Sequence, residues 1–455
     1  MTKIPAIRSS DRQLFDQIKS LLLRADWQFE SVGEQPIVSV EIPWEAPVSV
    51  EQLLKHGEDD WRLIWKTKTS PDTYVGVGVC CILDWDQLKS IEIPKSVRAY
   101  GGIRFPSASQ HDEKWDQIEN QFVIPELEWK IRDSQVSLTV RQVRKDSSAE
   151  DMMDSLSTKL SALLGHPIYP REFEKLTVND LTPYPDKLEW IKRVETALTE
   201  IQSGKLSKIV LSRFVDIKSD KDIDPISVVT KICALSEQSY VFGLFLPNGL
   251  SFVSRSPERL LAWSDSWVAL DAIAGTRKRW QVPGADFAGS AELKSSVKDQ
   301  NEHEFVTKFV EAYLSEFCSH YKMTKNAEIL KLKNVQHMRS SYEGQLDPKA
   351  SPLHLLEKLN PTPAVGGLPR NEALSRIPEI ESFNRGLFSG AVGCLSGNSG
   401  DFAIGIRSAL ISGKTLRCFA GAGIVQGSDP DLEWTETEIK MKNFLDLFPE
   451  PEISL

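Results

Sequence analysis

Two acidic pairs stand at spacings that could hold a hard divalent cation. Glu433 and Glu436 lie three residues apart and Lys440 follows four later, so helical geometry puts all three on one face. Asp299 and Glu302 repeat the three-residue spacing near the start of another helical stretch. Alone, the first pair reads as a solvated face with a Glu436–Lys440 contact worth about 0.3–0.5 kcal/mol. The second reads as a charged first turn favoured by the helix dipole. Brought face to face, the pairs would form an all-oxygen site, which suits Mg2+ rather than zinc. Spacing alone does not bring the helices together.

The chain also offers groups for an anion. Gly421 and Gly423, in Phe419-Ala-Gly-Ala-Gly-Ile-Val, let a backbone approach a ligand closely and present N–H donors. A tight strand-to-helix connection would use the same glycines. No Gly-Lys-Ser/Thr follows, so the likeness to a phosphate loop is weak. Arg407 lies in Phe402-Ala-Ile-Gly-Ile-Arg-Ser-Ala-Leu-Ile, which reads as an apolar strand. A partly buried arginine there needs an anionic partner, either a ligand carboxylate or a structural acid.

These groups need elements to position them. Residues 187 to 202 place Leu188, Ile191, Val194, Leu198 and Ile201 on one helical face, and Gly204 is a stop signal. Residues 299 to 317 place Phe305, Phe309, Val310, Tyr313 and Phe317 on another. A third helix runs from Asp431 to about Phe448, opened by Asp429-Pro430, with Leu432, Ile439, Phe444 and Leu445 opposite its acids. Lys208 to Ile217 reads as a strand. So do the alternating run from Ile37 and the glycine-punctuated run Tyr74 to Cys81. Short strands interleaved with helices, without regular βαβ alternation or a G-x-G-x-x-G, indicate an α+β fold. The charged stretch Arg141 to Asp154 reads as a connector, dividing a strand-rich N-terminal region (1–150) from the remainder (151–455).

The 455 residues, 41% hydrophobic, suffice for one large or two medium cores. No apolar run is long enough to span a bilayer, and Met1 to Ser10 carries no apolar signal core, so a soluble cytoplasmic protein is expected. A net charge of −10 without a basic cluster argues against nucleic acid and anionic membranes as partners. The six cysteines are scattered, with no C-x-x-C, and read as reduced and structural rather than as a disulfide framework or zinc site.

The order of several blocks resembles the chorismate-utilising enzymes, a family that includes anthranilate, aminodeoxychorismate, salicylate and isochorismate synthases. The blocks include Ser207-Lys-Ile-Val-Leu-Ser-Arg, Phe252-Val-Ser-Arg-Ser-Pro-Glu-Arg-Leu, Ala274-Gly-Thr-Arg and Lys298-Asp-Gln-Asn-Glu-His-Glu. They continue with Val335-Gln-His-Met-Arg, Asn360-Pro-Thr-Pro-Ala-Val-Gly-Gly, Asn384-Arg-Gly-Leu-Phe, Ala403-Ile-Gly-Ile-Arg and Ala420-Gly-Ala-Gly. The resemblance covers roughly residues 180 to 450. Tyr100-Gly-Gly-Ile-Arg-Phe, Trp115 and Phe122-Val-Ile-Pro add likeness in the N-terminal region.

The resemblance implies extended antiparallel sheets surrounded by helices, with 151–455 as the chorismate-binding catalytic domain. It implies Mg2+ held by Glu302 and Glu436, with Asp299 and Glu433 as outer or water-mediated partners. Arg407, the backbone of Gly421 and Gly423, and Lys440 would take the pyruvyl carboxylate. Gly275, Thr276, His337 and Ala364 would line the ring. Lys208 stands where ammonia-using relatives have Gln, which marks the branch that uses water. Ala274 replaces the nucleophilic lysine of aminodeoxychorismate synthase, so no covalent lysine route is available.

The implied activity is isochorismate synthase. Lys208 would be the base that activates water for ring carbon 2, in a setting beside Mg2+ and away from carboxylates. Glu258 would be the acid that protonates the hydroxyl leaving carbon 4, with its pKa above the usual range. The chain would act on chorismate alone as a monomer, without a glutaminase subunit. Its N-terminal extension resembles quinone-pathway members (menaquinone or phylloquinone) more than siderophore ones. Salicylate synthase is the alternative, but its loop usually reads Thr-Ala-Ser-Gly where this chain has Ala364-Val-Gly-Gly. A non-catalytic chorismate-binding relative is the other. Phe388 departs from the Tyr of many members, which puts one pyruvyl contact in question.

Overall fold

Stretches rich in Val, Ile, Phe and Trp pair antiparallel in this computed structural model, which describes residues 11–44, 48–55, 60–106, 112–133, 135–143, 149–164, 177–235 and 238–448. Among these they form a 13-stranded and a 9-stranded sheet. One end of the larger sheet is built by Gln35–Trp44, Gln135–Val143, Leu127–Arg132, Thr73–Val77 and Arg62–Lys66. It continues through Tyr240–Phe245, Ser251–Ser256, Ser408–Ser412, Thr415–Val425 and Lys208–Ser219. The smaller sheet orders Cys318–Lys331, Val335–Leu346, Trp267–Lys278, Arg259–Ser264, Ser399–Ile404, Ala391–Ser396 and Ala99–Ile103 in sequence. Strands from both sides of residue 150 thus share each sheet. The α+β expectation of extended antiparallel sheets with surrounding helices matches this architecture.

The sheets bury an aromatic layer between them. Trp65, Phe242 and Phe252 from the larger sheet meet Tyr100, Val392 and Ala403 from the smaller. Helices cover the outer faces: Val297–Phe317 and Pro352–Leu359 on the smaller sheet, Lys187–Gln202 and Arg370–Glu381 on the Lys208 strand. Trp115 sits at 0% exposure in this layer, packed on Phe252 and Phe419. It also rests against Gly386, where φ is +55° and any Cβ would strike its ring.

The helix positions match the apolar periodicity, but their buried faces are rotated from it. Lys187–Gln202 buries Trp190, Val194, Ala197 and Ile201 and leaves Leu188 exposed. Val297–Phe317 buries Val306, Val310 and Leu314 with Phe317, while Phe305, Phe309 and Tyr313 are only half-buried. In Pro430–Leu445 the acidic Glu433 is buried and Leu432 is 70% exposed, because Glu433 pairs with Lys298 across from the neighbouring helix.

Three local readings are corrected. Tyr74 to Cys81 is two strands in different sheets, split by Gly78 at φ +73°. Arg141 is no connector residue; it lies in Gln135–Val143, fully buried, with Nη1 donating to Glu128 at 3.0 Å. Arg407 is not in a strand but in the turn before Ser408–Ser412, at φ +50°. The expected polar N-terminus, Met1 to Ser10, lies outside the described residues.

Candidate active site

The sequence candidates converge where the Thr415–Val425 and Lys208–Ser219 ladder meets the Val297–Phe317 and Pro430–Leu445 helices. One cavity there is lined by Glu258, Glu302, His337, Arg407 and Lys440. Gly275, Thr276, Ala364, Gly421 and Gly423 also face it. The glycine-rich segment is a regular strand, paired with Lys208–Lys218, rather than a loop. Its missing side chains make room: a Cβ at Gly423 would lie 2.5 Å from Glu302 Oε1 and 3.1 Å from Lys208 Cε.

Lys208 opens its strand and is fully buried, with Nζ donating to Glu302 Oε1 at 3.0 Å. The expectation of a setting away from carboxylates is therefore corrected: the Glu302 carboxylate reaches the amine from the neighbouring helix. Glu258 sits between two strands that belong to different sheets, Ser251–Ser256 and Arg259–Ser264. The residue is 3% exposed and Oε1 has no hydrogen-bond partner. Burial pushes its pKa up to about 8, and the Asp271 carboxylate adds to this. Lys68, Lys208 and Lys440 oppose the shift, so these charges all act on Glu258.

Sequence reasoning missed what stands behind Glu258. Lys68, from the N-terminal region, donates to the Pro257 carbonyl and to Asp271 Oδ2, both at 2.7 Å. Asp271 also accepts from Ser341 Oγ at 2.8 Å. This buried pair fixes the peptide preceding Glu258. No sequence spacing links residues so far apart; the only signal was an acid in the otherwise apolar strand Trp267–Lys278.

One wall of the cavity is held by a bulge. Gly275 takes φ +73°, and the register with Val335–Leu346 shifts between Ala274 and Thr276. Burial, followed by Arg407 and Lys440, lowers the His337 pKa to about 3, so the imidazole is neutral. Its contacts fix the tautomer: Nδ1–H donates to the Gly275 carbonyl at 3.0 Å, and Nε2 accepts from Arg407 Nη2 at 3.2 Å. Phe388 stacks on Phe419 with centroids 5.0 Å apart, filling the wall with an apolar ring.

Every candidate metal carboxylate has a cationic partner. Glu436 pairs with Lys440 at 2.6 Å, Glu433 with Lys298 at 2.5 Å, and Asp299 with Arg277 at 2.6 Å. Among the described residues no group of three or more His, Cys, Asp and Glu is arranged to hold a metal ion. Yet Glu433, Glu436 and Glu302 all act on the partly exposed Lys298 ammonium and, against its desolvation, raise its pKa. Carboxylates from two helices therefore already gather around one positive charge. Burial, and then Glu436, raise Glu433 to about 7, so a second cation would relieve real repulsion. An all-oxygen donor set with one carboxylate from each helix fits Mg2+, which commonly takes one or two carboxylates and keeps its waters. Asp299 is tied to Arg277 by both oxygens, which suits an outer position.

Comparison with known proteins agrees with this geometry. A family model described as chorismate binding enzyme matches residues 81–448. The isochorismate synthase MenF of Bacillus subtilis is 34% identical over 75% of this chain and 73% of its own. A chloroplastic isochorismate synthase of Catharanthus roseus is 32% identical over 77% of this chain, which spans 62% of that protein. The solved structure of MenF, the menaquinone-specific isochorismate synthase from Escherichia coli, has TM-score 0.82 and 25% identity, covering 97% of this chain and 100% of that one. Anthranilate synthase component I from Streptococcus pneumoniae shares the fold, with TM-score 0.64 and 21% identity. A family match over residues 81–448, with a fold shared over 97% of the chain, places this chain in the chorismate-binding enzyme family.

Proposed function

We propose that the chain is an isochorismate synthase, adding water to chorismate at ring carbon 2 as the hydroxyl leaves carbon 4. The observation that carries this reading is the buried Glu258, whose Oε1 has no hydrogen-bond partner and whose pKa burial raises to about 8, within electrostatic reach of the buried Lys208 amine. Lys208 takes a proton from the attacking water as the new C–O bond forms. Glu258 gives its proton to the departing hydroxyl, which leaves as water, so one water enters and one departs. The Lys208–Glu302 ion pair must open for the amine to serve as base. Acid and base each contribute roughly 10²–10⁴-fold.

Arg407, steadied by His337, and Lys440 would hold the pyruvyl carboxylate beside Gly421 and Gly423. Gly275, Thr276, His337 and Ala364 would shape the ring pocket. Glu302 and Glu436 would hold Mg2+, with Glu433 and Asp299 outside them. When bound, the ion supplies electrophilic stabilisation at the ring carboxylate. Because the nucleophile is water, the chain works without a glutaminase subunit, and we assign it a monomeric state. Its likeness to the menaquinone-specific isochorismate synthase of Escherichia coli supports a quinone route. All six cysteines are free, which fits a reducing cytoplasm, and no described helix is long and apolar enough to cross a membrane.

Incubation of the purified protein with chorismate and Mg2+, followed by product separation, tests the reading. Isochorismate alone is expected. Salicylate with pyruvate, or no turnover, overturns it. Lys208→Ala is expected to abolish turnover while chorismate and Mg2+ still bind; retained turnover removes the base assignment.

A further inference from the structure

Glu258 is held from a part of the chain that lies ahead of the family match at residues 81–448. Lys68 sits in the turn between Arg62–Lys66 and Thr73–Val77, two strands of the larger sheet. The turn is anchored on the smaller sheet, where Thr67 Oγ1 donates to Asp401 Oδ2 at 2.7 Å. The Thr69 N–H donates to Thr67 Oγ1 at 3.2 Å and so closes the turn on that anchor. Lys68 then reaches inward past Tyr240, with Nζ 5.3 Å from the ring centroid. It gives one hydrogen bond to the Pro257 carbonyl and one to Asp271 Oδ2, and the two paired side chains are 9% and 4% exposed.

A buried ion pair adds little net stability over apolar side chains of the same volume, so the partners of this one matter more than its strength. The Pro257 carbonyl belongs to the peptide that carries the Glu258 nitrogen. The Glu258 N–H donates to Ser256 Oγ at 3.2 Å, and its carbonyl accepts from the Ile404 N–H at 3.1 Å. Lys68 thus completes a frame around the backbone of the acid. Charges act on it as well. Burial raises the Glu258 pKa most, Asp271 adds to the rise, and Lys68, Lys208 and Lys440 oppose it. Burial also pushes Asp271 up, but Lys68 and then Arg259 outweigh it and hold that carboxyl below its ordinary value. Glu302, His337 and Arg407 line the same cavity.

Taking Glu258 as the general acid proposed above, we infer that Lys68 is a positioning residue for it. Lys68 holds the Pro257–Glu258 peptide in place and, with Asp271, sets the charge that the acid faces. The N-terminal region is then part of the catalytic machinery, although it touches the acid only through this one side chain and its partners. The two roles separate. Position depends on the bond to Pro257, which needs Lys68 alone. The charge depends on the pair, whose members pull Glu258 in opposite directions.

The native protein, Lys68→Met, Asp271→Asn and the double variant test it, each as the full chain. Isotope-edited NMR of glutamate-labelled protein follows the Glu258 carboxyl, its signal assigned by its loss in Glu258→Gln. The titration should move to higher pH in Lys68→Met, to lower pH in Asp271→Asn, and back towards the native value in the double variant. Turnover reports position. At each protein's optimal pH, kcat should fall about 10–100-fold in both variants that lack Lys68, with KM for chorismate little changed. Asp271→Asn keeps the Pro257 bond and should lose less. An unmoved titration in Lys68→Met, or full kcat in the double variant, overturns the role. If Lys68→Met does not fold, the step from Asp271→Asn to the double variant isolates the same charge. If the native protein makes no isochorismate, the reading of the site falls, and the titration still decides whether Lys68 governs Glu258.

Discussion

Replacing Glu258 with Gln should change the pH dependence of stability as well as activity. The folded chain keeps the Glu258 proton up to about pH 8, whereas the unfolded chain releases it near the ordinary 4.5. Between those values the folded state binds more protons, so stability falls as pH rises. At about 1.4 kcal/mol per pKa unit, the interval is worth on the order of 5 kcal/mol. That contribution is complete below about 4.5 and gone above about 8. Gln keeps the shape and cannot titrate, so its variant should gain on the native protein by that amount between pH 5 and 9. Urea unfolding followed by tryptophan fluorescence, with 12 tryptophans in the chain, measures both proteins across the range. Turnover by the variant should drop about 10²–10⁴-fold. A stability difference that stays flat with pH would show that Glu258 is ionised in the folded protein, and the general-acid role would fall with it.

Asp271→Asn removes a carboxylate that helps raise Glu258, so the alkaline limb of the rate profile should move to lower pH; an unmoved limb refutes the coupling. Arg407→Lys loses the planar fork and the bond to His337, and should raise KM for chorismate by about 10–100-fold, the worth of one charge-assisted hydrogen bond. Gly423→Ala pushes a methyl against Glu302, so Mg2+ should activate only at higher concentration, readable by titration calorimetry. Gly386→Ala drives a Cβ into buried Trp115 and should cost at least about 1–3 kcal/mol of stability, seen as a lowered Tm.

Much of the site was legible because its chemistry sits in short blocks. Glu302, Glu436, Arg407 and the paired glycines stand out by residue type, the family resemblance supplied their roles, and the structure brings Glu302, Arg407, Gly421 and Gly423 around one cavity. Helix positions were legible from apolar period, but the buried faces were not. Pattern reading assumes that acids face water and leucines face inward; at Glu433 and Leu432 the reverse holds, because the partly exposed Lys298 reaches over to pair with the buried Glu433. Lys68 and Asp271 were invisible for another reason. Their pairing depends on strand order across two sheets, and no local pattern encodes which distant strand becomes a neighbour. Arg407 misled because its flanks are apolar on both sides, while a left-handed residue breaks the strand at that point.

The middle of the larger sheet joins Arg62–Lys66 to Tyr240–Phe245, and that pair reaches the Lys208 strand through Ser251–Ser256, Ser408–Ser412 and Thr415–Val425. During synthesis, at about 5–20 residues per second, the interval between the first and last of these strands lasts roughly 20–70 s. For that time open edges wait for partners, with the attendant hazard of intermolecular pairing. Yield in the cell should therefore depend on protection of the growing polypeptide more than on the final stability. Ligand capture becomes a property of the finished molecule, and a stalled, shortened translation product has no means of competing for the metabolite.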